Sequence, residues 1–160
     1  MALESFFNLP AHPLLVHVPV VFIPIAAIGA VAIALRPRWR RTYGPLVVIF
    51  AAIGMVGAQL AIMSGEALQE ARHVRTLGDH GDYGELARTA SIILFGLVVA
   101  LYAIDRWRSH PSMRRVPAWA TVVVAILTVA GAAGALTSTA LAGHSGAKVV
   151  WRDPTIAQGS

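Results

Sequence analysis

Two histidines and two prolines stand together near the start of the chain, in His12-Pro13-Leu14-Leu15-Val16-His17-Val18-Pro19, at the entrance of an apolar run with no charged residue before Arg36. Imidazole ligates haem iron, copper and zinc and carries protons near neutral pH, so histidines beside a membrane-length segment have chemistry available to them. Residues 12 and 17 stand about 140° apart on an ideal helix, so their rings need not share one ligand. His17 lies more than a turn inside the run and is expected to face the bundle interior, because polar groups on a lipid face are costly. His12 is expected to cap the helix or sit at the interface. Pro19 and Pro24 cannot donate to the carbonyls of Leu15 and Val20, which predicts a kinked first half of the span.

The elements that must position these residues are membrane helices. With 56% hydrophobic and 13% charged residues, the 160-residue chain is too apolar for an ordinary soluble domain. A span needs about 20 apolar residues, and four windows supply them: 13–35, 45–68, 86–107 and 118–142. The expected fold is all-α, a single integral membrane domain over residues 1–160 in which consecutive helices form an antiparallel four-helix bundle. The connections leave no room for a separate soluble catalytic domain. No cysteine is present, which excludes disulfides, thiolate metal sites, a c-type haem attachment and a cysteine-ligated iron–sulfur cluster on this chain. The first run follows no positive n-region and is too long and Pro-rich for a cleaved signal, so it reads as a mature helix.

The net charge of +5 is distributed as an orientation signal rather than a nucleic-acid surface. Arg36, Arg38, Arg40 and Arg41 fill the first connection, and Arg106, Arg108, Arg114 and Arg115 the third, with Trp39, Trp107 and Trp119 beside them. Basic short loops mark the cytoplasmic side and tryptophans the headgroup level, so N-terminus and C-terminus are both expected to be extracytoplasmic, in a multi-pass protein of a bacterial plasma membrane. That topology puts His12, His17, His73, His80 and His144 at the outer side and only His110 at the inner one. Glu66, Glu70, Asp79, Asp82 and Glu85 lie in or beside the outer connection, about 69–85, which is long enough to be functional and is expected to hold a short amphipathic helix and a turn.

On the second span, Ala51, Gly54, Ala58, Ala61 and Gly65 form a small-residue stripe for close helix contact. Met55, Gln59, Met63 and Glu66 form a neighbouring stripe, read either as an interhelical hydrogen bond from Gln59 beside a hydrated Glu66 or as a polar path from the outer mouth. The fourth span repeats the small-residue theme at Gly131, Gly134, Ala135 and Ser138. Ser64-Gly65-Glu66-Ala67-Leu68 is weakly parallel to Ser138-Thr139-Ala140-Leu141, as in two tandem hairpins. Arg88 is placed to pair with Glu66 or to snorkel.

The opening His12 to Pro19, the Ser64-Gly65-Glu66 end of the second span, and the tail Gly143-His144-Ser145-Gly146-Ala147-Lys148-Val149-Val150-Trp151 together resemble the small four-helix membrane proteins of domain of unknown function 2231. The resemblance covers nearly the whole chain and departs at Ala147 and Trp151, where the family pattern has glycine and tyrosine. It implies a membrane protein without assigned activity. Because some members are joined to or encoded beside Rieske-type iron–sulfur domains, it also implies a redox protein partner of that kind.

Two functions follow from different classes. In the first, the chain is a redox subunit of a membrane electron-transfer system, in which His17 with His12, His80 or His144 binds a b-type haem or a transition metal ion and carboxylates such as Glu66 orient the ligands. Against an ordinary buried bis-histidine haem, no pair of histidines stands at matched depth in the middle of two spans. In the second, the chain is a non-catalytic structural or accessory membrane subunit, open to oligomerisation, whose histidines only cap helices and hydrogen-bond backbone. No nucleophile with a base and an orienter is recognisable, so independent catalysis is not expected.

Overall fold

The computed structural model of the protein describes residues 5–6, 9–72, 79–108 and 117–152. Its first apolar run is split in two. Ala11–Leu15 form a short helix, α1, the chain turns at Val16, and His17–Leu35 form α2. The break falls where Pro19 has no N–H for the Leu15 carbonyl, as the proline spacing predicts. A two-residue antiparallel bridge precedes α1, pairing β1 (Ser5–Phe6) with β2 (Leu9–Pro10).

Three long helices follow: α3 (Pro37–Arg72), α4 (Asp79–Arg108) and α5 (Ala118–Arg152). With α2 they are long and apolar enough to cross a membrane. The expected outer connection over 69–85 is mostly helix instead, since α3 runs on to Arg72 and α4 begins at Asp79. Ala67 to Arg72 are strong helix formers, and Gln69, Glu70 and Arg72 among them are polar, so hydropathy falls there while the hydrogen-bonded helix continues. His73 lies outside the described residues. The first basic connection likewise shrinks to Arg36, and Arg38, Arg40 and Arg41 ride on the first turns of α3.

Around the bundle, α2 packs on α3 and on α5, and α4 packs on α3 and on α5. Two helical hairpins, α2–α3 and α4–α5, thus lie side by side in an antiparallel four-helix bundle. The core is built from small and branched side chains: Ile23, Ala27, Ala30 and Ile33 of α2 meet Val47, Ala51 and Ala58 of α3, Leu94, Val98 and Leu101 of α4, and Ala132 and Ala135 of α5. A methyl group added at Gly54 would come within 2.9 Å of Ile23, and at Gly57 within 2.6 Å of Val18, so the small stripe of α3 lets α2 approach closely. On α5 the stripe is narrower than expected, because Ala135 and Ser138 are buried while Gly134 has nothing within 4 Å of an added methyl. The outward faces carry Ile28, Ile49, Val56, Ile93 and Ile126, the apolar surface expected of a protein solvated by lipid. Buried hydroxyls fold back on their own helices, Ser91 to the Arg88 carbonyl and Thr128 to the Val124 carbonyl, so they cost little in an apolar interior.

At the arginine end, Arg40 is buried. Its Nε donates to the Ile33 carbonyl (2.8 Å) and its Nη2 to the Ala34 carbonyl (2.9 Å), satisfying two of the acceptors orphaned where α2 stops. Asp105 of α4 faces it at 3.9 Å and also meets Arg41 at 3.8 Å. Trp39 packs edge-on to Tyr43 under the Arg36 guanidinium, and Trp107 and Trp119 are exposed at the same end. That arrangement matches an aromatic and cationic headgroup layer.

Candidate functional site

The opposite end of the bundle carries the histidines. α1 lies across the end of α3, and His12 sets its ring on Gly65, where an added methyl would meet the ring at 3.2 Å. His12 Nδ1 stands 3.0 Å from the Ala61 carbonyl and 3.1 Å from Ser64 Oγ. Ser64 gives its own proton to the Ala61 carbonyl at 2.9 Å, and a carbonyl only accepts, so Nδ1 of His12 must be the protonated, donating nitrogen.

The second hairpin repeats this construction. His80, at the start of α4, sets its ring on Gly146 of α5, where an added methyl would come to 2.9 Å. Its Nδ1 lies 3.1 Å from Ser145 Oγ, and Ser145 donates to the Ala142 carbonyl at 2.9 Å. In the tautomer that matches His12, Nδ1 of His80 donates to the Ser145 hydroxyl oxygen. Each hairpin therefore contributes one histidine, from the start of its first half, to a Ser-Gly step on its second helix. The two rings meet with centroids 6.4 Å apart and planes at 81°. With both Nδ1 protons engaged, each ring keeps Nε2 as a lone-pair donor. Fixing the tautomer through the other nitrogen is the usual support of a metal-ligating histidine.

His12, outside the spanning helices, is half-buried. Burial holds its imidazole below the ordinary histidine pKa of 6.5, the bond to Ala61 opposes the shift, and the neighbouring His80 adds to it. Neutral imidazole is the ligating form.

The other sequence candidates are exposed. His17 is exposed at the first residue of α2, contrary to the expectation that it faces the interior, because the turn at Val16 makes it a helix-start residue rather than one set a turn deep. His144 and Glu66 are exposed on α5 and α3. Among the described residues, no group of three or more His, Cys, Asp or Glu side chains is placed to hold a metal ion. Of His12, His17, His80, His144 and Glu66, the structure brings the rings of His12 and His80 together. The pair lies at the end of the bundle, not in the middle of two spans.

Below the pair lies a polar layer. Arg88 pairs with Glu85 (3.0 Å) rather than with Glu66, and its Nη1 reaches Gln59 Oε1 across to α3 at 3.4 Å. The interhelical bond expected of Gln59 is therefore present, with arginine as its donor. Arg88 Nε and Thr139 Oγ1 are buried with no hydrogen-bond partner among the described residues. Deeper still, Leu94, Val98 and Leu101 close the bundle.

One signal for the paired construction was present in the sequence. Ala61-Ile62-Met63-Ser64-Gly65 and Ala142-Gly143-His144-Ser145-Gly146 share alanine, serine and glycine at the same spacing. The parallel drawn to Ser138 was seven residues, two helical turns, out of register.

A family model described as "Predicted membrane protein (DUF2231)" matches residues 8–158. No curated protein and no solved structure matches the chain. The match covers nearly the whole sequence, and the chain belongs to this family.

Proposed function

We propose that this member of the predicted membrane protein family is a non-catalytic binding subunit that holds a transition metal ion between Nε2 of His12 and Nε2 of His80. The observation that carries the reading is the duplicated cradle, in which each Nδ1 is committed to a Ser-Gly step and the two lone-pair nitrogens are left on neighbouring rings. Imidazole nitrogen suits copper, zinc, iron and nickel, while the absence of a carboxylate from the pair disfavours calcium, magnesium and manganese. The haem form of the reading uses the same two nitrogens. The basic and tryptophan-bearing end supports placing the histidine end on the extracytoplasmic side of a cell membrane, where a redox protein of Rieske type is the partner that the family resemblance suggests.

The hydrogen bond from His12 to the Ala61 carbonyl also favours a second reading, in which the histidines only pin helix ends together in an accessory subunit. Absorption spectra of the purified protein, titrated with cobalt(II), separate the two. Metal binding gives one cobalt per chain with bands lost in His12→Gln and His80→Gln, or a Soret band in the protein as isolated. A colourless, folded protein that takes up no metal leaves the pinning reading.

A further inference from the structure

The arginine end of the bundle carries more charge than the chain itself neutralises. Residues 36–46 and 103–121 contain eight arginines and one acid, Asp105. That acid is partly buried and shared inside the protein, with Arg40 at 3.9 Å and Arg41 at 3.8 Å. Glu66, Glu70, Asp79, Asp82 and Glu85 belong to the far end of α3 and the start of α4, a membrane's thickness away.

Arg36, Arg38, Arg106 and Arg108 are exposed. Arg36 rests over the Trp39 ring at 5.3 Å, a contact that offsets part of its charge but leaves most of its five N–H donors to other acceptors. Arg38, Arg40 and Arg41 ride on the first turns of α3, where the helix dipole disfavours cations. The arginines also link the two hairpins: Arg40 and Arg41 of α3 reach Asp105 of α4, and Arg108 Nη1 donates to Thr121 Oγ1 of α5 at 3.1 Å. An anion from outside the chain is the missing partner of this surface.

The neighbouring side chains decide what kind of anion it is. Trp39, Trp107 and Trp119 are exposed at the same end, and beside them Leu35, Leu46 and Val122 turn apolar side chains outward. A soluble polyanion matches the guanidinium groups alone. An anionic phospholipid matches all three, with a phosphodiester for the paired donors of arginine, a headgroup region for the indoles and acyl chains for the apolar faces.

We infer that the arginine end selects anionic over zwitterionic phospholipid, with Arg36, Arg38, Arg106 and Arg108 holding the lipid phosphodiesters. The inference stands independently of what the histidine end binds.

The test uses the full-length chain with Trp151→Phe, which removes the tryptophan of the opposite end and leaves Trp39, Trp107 and Trp119 as reporters. Reconstituted in phosphatidylcholine bilayers, it is titrated with dibrominated phosphatidylglycerol or dibrominated phosphatidylcholine, and quenching of tryptophan emission measures which lipid occupies the arginine end. The expected result is a preference for phosphatidylglycerol of at least about 5-fold, the factor that one engaged arginine contributes. The preference shrinks as salt rises from about 0.1 M to about 1 M and the Debye length falls from about 10 Å to about 3 Å. Arg36→Gln, Arg38→Gln, Arg106→Gln and Arg108→Gln combined abolish it. The comparison of lipids and of salt concentrations decides the matter even if the combined variant fails to fold. Equal quenching by the two lipids, a preference unchanged by salt, or one that the combined variant retains overturns the inference. Loss of the preference on adding inorganic phosphate at constant ionic strength overturns it too, because the site then takes the free anion rather than the lipid.

Discussion

Gly146→Ala is the sharpest perturbation of the histidine end, because Gly143, three residues earlier on α5, supplies its control. The added methyl at Gly146 lies 2.9 Å from His80 Cε1, whereas at Gly143 it meets nothing within 4 Å. Carbon contacts settle at about 3.5–4.0 Å, so the His80 ring has to withdraw by about 0.6–1.1 Å. A withdrawal of that size takes Nδ1 out of hydrogen-bond range of Ser145, now at 3.1 Å. The loss of that bond is worth about 0.5–1.5 kcal/mol and the crowding about 1–3 kcal/mol. Both variants gain the same helix propensity, about 1 kcal/mol, which cancels in the comparison. Gly146→Ala should therefore be less stable than Gly143→Ala by about 1.5–4.5 kcal/mol. Denaturant titration of both in the same micelles measures the difference. Equal stabilities would refute the close packing of His80 on α5, and with it the geometry from which the metal site is argued.

Other predictions concern the hydrogen bonds and charges around the two ends. Ser145→Ala removes the partner of His80 Nδ1 and should cost about 1–3 kcal/mol, whereas Ser64→Ala leaves His12 the Ala61 carbonyl and should cost less than about 1 kcal/mol; unfolding titrations that reverse this order contradict the assigned tautomers. His12 has its pKa lowered by burial, so below pH 6.5 the unfolded chain binds more protons than the folded one. Stability of the metal-free protein should be complete above about pH 6.5 and fall on acidification until the folded His12 is itself protonated; stability that rises through that window contradicts the burial of the ring. Arg40→Leu strips the Ile33 and Ala34 carbonyls of their donor and leaves Asp105 with Arg41, costing about 2–4 kcal/mol in the same assay, and Arg40→Lys should recover only part because an ammonium lacks the forked donor geometry.

The four spans were legible because hydropathy over a membrane-length window reports a physical requirement of the bilayer. A kink in the first half of the first run was legible from Pro19 and Pro24, but not that it falls at Val16, before His17. What hydropathy could not give was the length of the helices beyond the apolar band. Gln69 to Arg72 and Asp79 to Glu85 carry most of the polar residues but continue the backbone hydrogen bonding, so those parts of the expected outer connection belong to α3 and α4. The site was partly legible. His12 and His80 stood among the candidates, yet 68 positions part them in the chain, and nothing local says that α1 and the start of α4 meet. His17 drew attention through its depth in the apolar run, a measure that failed once the turn at Val16 moved the helix start. Glu66 was one of two readings for Arg88, the other being a snorkelling side chain, whereas the Glu85 side chain, one turn away on the same helix, reaches the guanidinium at 3.0 Å.

The central claim is that His12 and His80 act together as one metal site built by the two hairpins. Equilibrium dialysis of the wild type, His12→Gln, His80→Gln and the double variant, with bound metal counted per chain, tests it most directly. The account predicts one ion per wild-type chain and none in any of the three variants, each confirmed as folded by circular dichroism. A wild type that binds no metal contradicts it, as does a single variant that retains its ion.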